Sequence, residues 1–269
     1  MDSMECYALQ NNYTYLRLIG ADFKEICEQN HINFQRHCIV AHILKSYNFT
    51  WVLHVDADVG VVNERRRLEE YIKEDLDIIF HERFFNFEVG AASYFARKSD
   101  FSKIFLRGWA DYSFRLPQHF HSDNAALHMW LVELFAPNAP FTPPAGHYGK
   151  EEVLRNATLS RVFIYRKGEG WLRDSWLTNS HWSPEIDFMF HHRKEKWKKQ
   201  FNVTQIKVLQ GPRFDWCDTL TSPLDLDKCR RERRRKDVEE LRRDHLQFLY
   251  KFASRLTRTW SDEDVQDTK

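Results

Sequence analysis

The sequence has no long hydrophobic run, little glycine and proline, and almost no net charge. A membrane-spanning helix needs about 20 consecutive apolar residues, and no run in the chain approaches that length. With only 9 glycines and 8 prolines in 269 residues, collagen-like and low-complexity architectures are excluded. The 40 lysines and arginines balance 39 acidic residues, so a dedicated nucleic-acid-binding protein is not expected. The length suits one large α/β domain or two small ones.

The five cysteines form no Cys-x-x-Cys pair, which argues against a zinc ribbon. Cys217 and Cys229 bracket a short segment that a disulfide could close, and five reduced thiols are an equal alternative. Four Asn-x-Thr sequons favour the secretory pathway, because this motif is the acceptor for N-linked glycans. The sequons begin at Asn12, Asn48, Asn156 and Asn202. The first six residues do not form a signal peptide.

Strand-like and helix-like patterns alternate along residues 34–135. The predicted strands are 12–20, 51–55, 77–80, 91–96 and 161–165. The predicted helices are 34–47, 64–74, 100–114 and 122–133, the last one capped by Ser122 or Asp123, and residues 171–182 are predicted to be a loop. This order predicts an α/β fold with a mostly parallel sheet flanked by helices. We expect one domain over residues 1–229, a basic run with an amphipathic helix over 230–260, and a disordered tail over 261–269.

Two acidic residues, Asp56 and Asp58, directly follow the apolar strand predicted at 51–55. Ligands bind outside the carboxyl ends of the strands in open α/β sheets, and two carboxylates this close repel each other unless a cation lies between them. Mg²⁺ and Mn²⁺ prefer oxygen ligands and can also hold a diphosphate, as in sugar-nucleotide transferases. Asn63, shortly afterwards, favours a binding site. The alternative is that Asp56 caps a loop and Asp58 is only solvated.

Several short segments between about residues 6 and 229 follow one another in a recognisable order. They are residues 36–42, 55–63, 77–80, 83–88, 92–94, 120–128, 173–176 and 188–191. Together they resemble GT-A glycosyltransferases, and within these a family of nucleotide-diphospho-sugar transferases, domain-of-unknown-function 273. That family is similar to glycosyltransferase family 34, the galactosyl- and xylosyl-transferases of the Golgi.

The resemblance implies a role for each matching residue at the metal and the donor. Asp56 and Asp58 match the metal-binding acids, and His191 matches a family histidine that would complete the metal shell. Asn63 and Ser93 lie in the matching segments and are expected to help bind the donor. For His191 the alternative is an ordinary surface histidine, one of 13 in the chain.

Three further residues match family positions expected to serve the donor sugar or the acceptor. Asp123 and Asn124 match an acid–amide pair that would hydrogen-bond the donor sugar or support charge at its anomeric carbon. The alternative for Asp123 is helix capping, which is compatible with the first role. Glu88 matches a family acid that would serve the acceptor, with a structural role as an equal alternative.

The resemblance therefore implies a GT-A-like fold and a hexosyl- or pentosyl-transferase that uses Mn²⁺ or Mg²⁺ and a nucleotide-diphosphate sugar. The expected acceptor is a glycan or glycoprotein, nucleic acid is not an expected partner, and the expected location is the secretory pathway, in the Golgi lumen. A GT-A fold begins with a hydrophobic strand for the nucleotide base, and family members carry an anchor or signal. Neither precedes Cys6, so we expect a chain without its N-terminal strand and without the membrane anchor. Such a truncated form could be catalytically inactive.

Other functions remain as alternatives. Ala92 and His192 stand where the family has glycine, and a side chain there would obstruct the diphosphate, so a catalytically degraded pseudoenzyme is one alternative. A carbohydrate-binding or scaffold protein that uses the many aromatic side chains is another. A third is a nucleic-acid or nuclear-import patch at the basic run 230–236, although such a run is usually a solvated face.

Overall fold

The structure is a computed structural model that describes residues 2–83, 88–116, 122–135, 161–166, 169–174 and 187–191. Its helices are α1 (Asp2–Gln10), α2 (Ile32–Ser46), α3 (Asp100–Asp111) and α4 (Asp123–Phe135), with short 3-10 helices at Gly20–Phe23, Leu68–Tyr71 and Tyr112–Phe114. Its strands are β1 (Trp51–Val55), β2 (Gly60–Val61), β3 (Ile78–His81), β4 (Ser93–Arg97), β5 (Val162–Tyr165), β6 (Leu172–Asp174) and β7 (Met189–His191). None of the helices in these ranges combines the length and the apolar character that crossing a membrane requires.

The chain divides into two compact units. Unit 1 comprises Met1–Thr14, Asp58–Tyr71 and Trp171–Lys269, and unit 2 comprises Tyr15–Ala57 and Ile72–Gly170. The domain boundaries predicted at 229/230 and 260/261 lie outside the described residues.

Unit 2 contains a four-stranded sheet in the order β1-β4-β3-β5. Strand β4 pairs antiparallel with β1 on one side and with β3 on the other, in the registers Leu53↔Phe95 and Ile79↔Phe95. Strands β3 and β5 run parallel, with Ile79 opposite Phe163. The mixed α/β class is therefore as predicted, but the expectation of a mostly parallel sheet is wrong for the described strands of this unit. Residues 82–92, which join β3 to β4, are too few for the crossover that a parallel pair needs.

Large aromatic side chains form the centre of unit 2, where helices α2, α3 and α4 contribute to one apolar core. Trp109 of α3 is fully buried and contacts Phe80 and Tyr94, with ring centroids 5.9 and 5.6 Å apart. Removing a ring of this size from a core costs about 3–5 kcal/mol. Helix α4 begins as predicted, because the Ser122 hydroxyl oxygen accepts a hydrogen bond from the Ala125 N–H at 3.2 Å.

Unit 1 contains a small sheet in the order β2-β7-β6. Strand β7 pairs antiparallel with β2 and parallel with β6. Helix α1 is attached to this sheet through Ser3, whose hydroxyl accepts from the Val61 N–H at 3.2 Å, and through Tyr7, whose ring lies 5.3 Å from that of Phe188. The short strands β2 and β7 therefore have both backbone and side-chain support.

Three predicted elements differ from the structure. Residues 12–20 form no strand: Asn12 has a φ of 56°, and the chain enters the 3-10 helix at Gly20–Phe23. The helix predicted at 64–74 is reduced to the 3-10 turn at 68–71, where the Glu70 carboxylate accepts from the Arg67 N–H at 2.5 Å and so competes with helical bonding. The loop predicted at 171–182 includes strand β6.

A disulfide joins Cys27 and Cys38, a pairing that the cysteine spacing does not predict. Both side chains are buried, Cys38 on α2 and Cys27 in the segment before it. Closing a loop of this length stabilises a protein by about 3 kcal/mol, mainly by restricting the unfolded chain. Cys6 is also disulfide-bonded, whereas Cys217 and Cys229 lie outside the described residues.

Candidate functional site

Asp56 lies directly after β1, as the sequence predicts, and its position is set by the backbone. Its N–H donates to the Ala92 carbonyl oxygen at 2.9 Å, which extends the β1–β4 ladder by one residue. The side chain of Asp56 is 20% exposed, so the carboxylate is accessible from solvent while its backbone is held.

Arg36 joins two of the predicted site carboxylates within unit 2. From α2, its Nη1 donates to Asp56 Oδ1, and its Nε and Nη2 donate to Asp123 Oδ2, the Nε bond at 3.1 Å. We call Arg36, His37, Asp56 and Asp123 the Arg36 cluster. Burial alone raises the pKa of Asp123, but the positive charge of Arg36 and the bond from His37 hold that pKa below its ordinary value. Asp123 is therefore ionised at neutral pH.

His37 is fully buried and holds the other side of Asp123. Its Nε2 lies 3.0 Å from Asp123 Oδ2, its Nδ1 lies 3.0 Å from the Tyr94 hydroxyl, and its ring stacks on Trp109 with centroids 3.4 Å apart. Burial lowers the pKa of His37 to about 3, so the imidazole is neutral. A neutral ring that donates from Nε2 to the carboxylate must accept at Nδ1 from the Tyr94 hydroxyl.

His54 of β1 lies beside the same cluster, with its Nε2 3.6 Å from Asp56 Oδ1. Burial lowers the pKa of His54 as well, which favours the neutral imidazole. The predicted donor-binding residue Ser93 is fully buried on β4, and its hydroxyl donates to the His54 carbonyl oxygen at 2.8 Å. Ser93 therefore links β4 to β1 at the end of the strand where Asp56 emerges.

Asn124 and Glu88, both predicted from sequence, are brought together in unit 2. The Asn124 side-chain oxygen accepts from the Ala91 N–H at 2.7 Å, and its Nδ2 donates to Glu88 Oε2 at 3.1 Å. Arg83 Nη1 donates to the same Glu88 oxygen at 3.2 Å. Asn124 is next to Asp123 in the first turn of α4, so this turn supplies two of the predicted polar groups.

Unit 1 holds the other predicted metal ligands, Asp58 and His191. Asp58 Oδ1 lies 3.4 Å from His191 Nε2, and both side chains are largely buried, 17% and 10% exposed. The antiparallel pairing of β2 with β7 brings these distant positions together. Asn63, which follows Asp58 shortly in the chain, is also buried. Its Oδ1 accepts a hydrogen bond from the Arg65 N–H at 3.1 Å and thus stabilises a turn.

Arg36 and His37 have no role among the sequence predictions, although both lie in a segment that carries the family resemblance. The available signal was their position among the apolar residues of α2, because charged or polar side chains on the buried side of a helix need partners. Those partners come from β1 and α4, and nothing in the local pattern identifies them.

Stability should depend on pH through His37. The unfolded chain protonates this histidine below its ordinary pKa of 6.5, whereas the folded protein does so only at about 3. The unfolding free energy should therefore fall as the pH drops from 6.5 towards 4, by up to about 1.4 kcal/mol per pH unit. Urea unfolding at several pH values measures the slope. His37→Gln should reduce this slope and leave the part that comes from His54, whose pKa burial also lowers. His42→Gln, a control on the same helix, should keep the wild-type slope; an equal slope in both variants would contradict this prediction.

The sequence and the fold each resemble known proteins. Residues 4–143 and 150–208 match a family of proteins of unknown function, DUF273. No curated protein sequence matches the chain. A crystal structure of a glycosyltransferase involved in the glycosylation of the major capsid of PBCV-1 superposes with a TM-score of 0.43 and 10% sequence identity, covering 76% of this chain and 89% of that one. So weak a likeness defines neither the fold nor the residues of a site. The family match, in contrast, includes more than half of the chain, and the protein belongs to the DUF273 family.

Proposed function

We propose that this protein is a metal-dependent glycosyltransferase that moves a sugar from a nucleoside-diphosphate donor to a glycan or glycoprotein acceptor. The observation that carries the proposal is the pair Asp58 and His191, whose ligand atoms lie 3.4 Å apart in unit 1. Asp56 stands two residues before Asp58 in the chain, and we include it as the third ligand because the Asp-x-Asp pattern predicts it.

The donor set fits a divalent cation. Two ligand atoms that each lie about 2.0–2.2 Å from one ion are about 3 Å apart, close to the separation of Asp58 Oδ1 and His191 Nε2. One imidazole and carboxylate oxygens suit Mn²⁺, with Mg²⁺ as the alternative. When bound, such an ion supplies a Lewis acid that stabilises the charge of a departing diphosphate.

The residues of unit 2 would bind and orient the substrates. Arg36 and His37 keep the Asp123 carboxylate ionised and hold it in one orientation, so it can accept hydrogen bonds from sugar hydroxyls without reorganising. Asn124, the next residue in the chain, donates to Glu88, and this second polar pair is proposed for the donor sugar or the acceptor. Ser93 and Asn63 would contribute through the backbone they support, because their side chains bond internally.

We further propose that the protein works in the secretory pathway, in the lumen of the Golgi. The Cys27–Cys38 disulfide supports this location, because disulfides persist in oxidising compartments. The four sequons support it independently.

A donor screen tests the proposed function. The purified chain is incubated with UDP- and GDP-sugars, with Mn²⁺ or with EDTA, and the released nucleoside diphosphate is measured. We expect release from at least one donor with Mn²⁺ and none with EDTA, because the metal assists departure of the diphosphate. If no donor is hydrolysed and none raises the melting temperature together with Mn²⁺, the transferase proposal is wrong and a sugar-binding or scaffold role replaces it.

A further inference from the structure

Two of the four sequons, Asn12-Tyr13-Thr14 and Asn48-Phe49-Thr50, lie within the described residues, one in each unit. Each begins two residues after the end of a helix: α1 ends at Gln10 and α2 ends at Ser46. A sequon can carry a glycan in the folded protein only if its asparagine reaches solvent, so the structure discriminates between usable and buried sequons.

The segment around Asn48 presents its acceptor side chains outward. Tyr47 ends α2 in an extended conformation, with φ −111° and ψ 156°. Phe49 packs against the buried cluster that contains the Cys27–Cys38 disulfide, whereas Asn48 and Thr50 are exposed. Phe49 is thus anchored between two exposed acceptor residues, and both Asn48 and Thr50 are accessible from solvent.

Lys98 fixes the backbone on both sides of Asn48. Its Nζ donates to the Tyr47 carbonyl oxygen at 2.8 Å, and its N–H donates to the Thr50 carbonyl oxygen at 2.9 Å. The Asn48 side-chain amide makes no hydrogen bond to any residue that the structure describes. A glycan on this nitrogen would thus break no side-chain interaction among those residues.

The segment at Asn12 repeats the arrangement in unit 1. The middle residue Tyr13 is anchored, since its hydroxyl donates to Glu69 Oε2 at 2.6 Å, and Asn12 and Thr14 are both exposed. Asn12 has a φ of 56°, a conformation that asparagine adopts more readily than most residues and that a modification of its side-chain nitrogen does not alter.

We propose that Asn48 and Asn12 are N-glycosylation sites whose glycans project into solvent from the folded protein. In the reaction, the side-chain amide nitrogen attacks the anomeric carbon of a lipid-diphosphate-linked oligosaccharide. A C–N bond forms, the C–O bond to the diphosphate breaks, the diphosphate leaves with the electron pair, and the amide loses one proton. The Cys27–Cys38 disulfide is independent support, because the compartment that forms disulfides is also the one where this transfer occurs.

The test uses the full chain directed to the secretory pathway of a eukaryotic cell, in an Asn156→Gln/Asn202→Gln background. Mass spectrometry of tryptic peptides reads the occupancy of each site, and digestion with peptide N-glycanase without denaturant reads accessibility. We expect two glycans on the Asn156→Gln/Asn202→Gln protein. Adding Asn12→Gln or Asn48→Gln should leave one glycan, and adding both substitutions should leave none.

The hydroxyl-bearing residue of the second sequon gives a further comparison. Thr50→Ala should lose the Asn48 glycan and Thr50→Ser should keep it. Unmodified Asn48 or Asn12 peptides in the secreted protein, or glycans released only after denaturation, would overturn the assignment for that site.

Discussion

Replacing Asp58 with asparagine should abolish most of the stabilisation that Mn²⁺ gives the protein. A ligand that binds only the folded state at 100 times its Kd adds about 2.7 kcal/mol to the unfolding free energy. Mutating a residue that only hydrogen-bonds a metal ligand lowers metal affinity about 10–100-fold. Loss of a charged ligand itself should therefore weaken metal binding on the order of 100-fold. At the same Mn²⁺ concentration the gain then falls to about 0.4 kcal/mol.

Thermal melts of wild type and Asp58→Asn, with and without Mn²⁺, measure this effect. His191→Gln should behave like Asp58→Asn, because the two side chains lie 3.4 Å apart and would share the ion. Asp22→Asn makes the same change of charge at an exposed position in the 3-10 helix 20–23 and should leave the shift as in wild type. Melts with EDTA separate loss of metal from loss of intrinsic stability. A full Mn²⁺ shift in both Asp58→Asn and His191→Gln would refute the metal site.

Replacing Asp123 with alanine should destabilise the protein by about 3 kcal/mol, because it removes the partner of two largely buried groups. Among the described residues, Arg36, whose side chain is 18% exposed, would then pair with Asp56 alone, and the fully buried His37 would lose its acceptor. A buried donor without an acceptor costs about 1–3 kcal/mol, and breaking a buried ion pair costs more. Urea unfolding at neutral pH measures the loss.

Two comparisons test whether charge pairing causes this loss. The Asp100 side chain is 91% exposed and forms an ion pair with Lys103. Asp100→Ala should therefore change the unfolding free energy far less than Asp123→Ala. In a double-mutant cycle, Arg36→Met combined with Asp123→Ala should cost at least 1 kcal/mol less than the sum of the single variants, because both charges are then removed. Additive losses would contradict the proposed coupling in the Arg36 cluster.

The sequence predicts those helices and strands whose own residues show a clear helical or apolar pattern. Helices α2, α3 and α4 and strands β1, β3, β4 and β5 occur close to their predicted positions, and Ser122 caps α4. These elements are long or apolar enough for the sequence around them to decide their type. Residues 12–20 have the composition of a strand but form none, because a strand also needs a neighbour to pair with.

The sequence alone determined the family, the α/β class and the acidic pair that follows β1. Only the tertiary structure decided the direction of strand pairing, the Cys27–Cys38 disulfide and the sharing of Arg36 by two carboxylates. The physical reason is the same in each case. These contacts join segments that are separate in the chain, their energy comes from burial and charge pairing in the folded state, and no periodicity within a single segment encodes them.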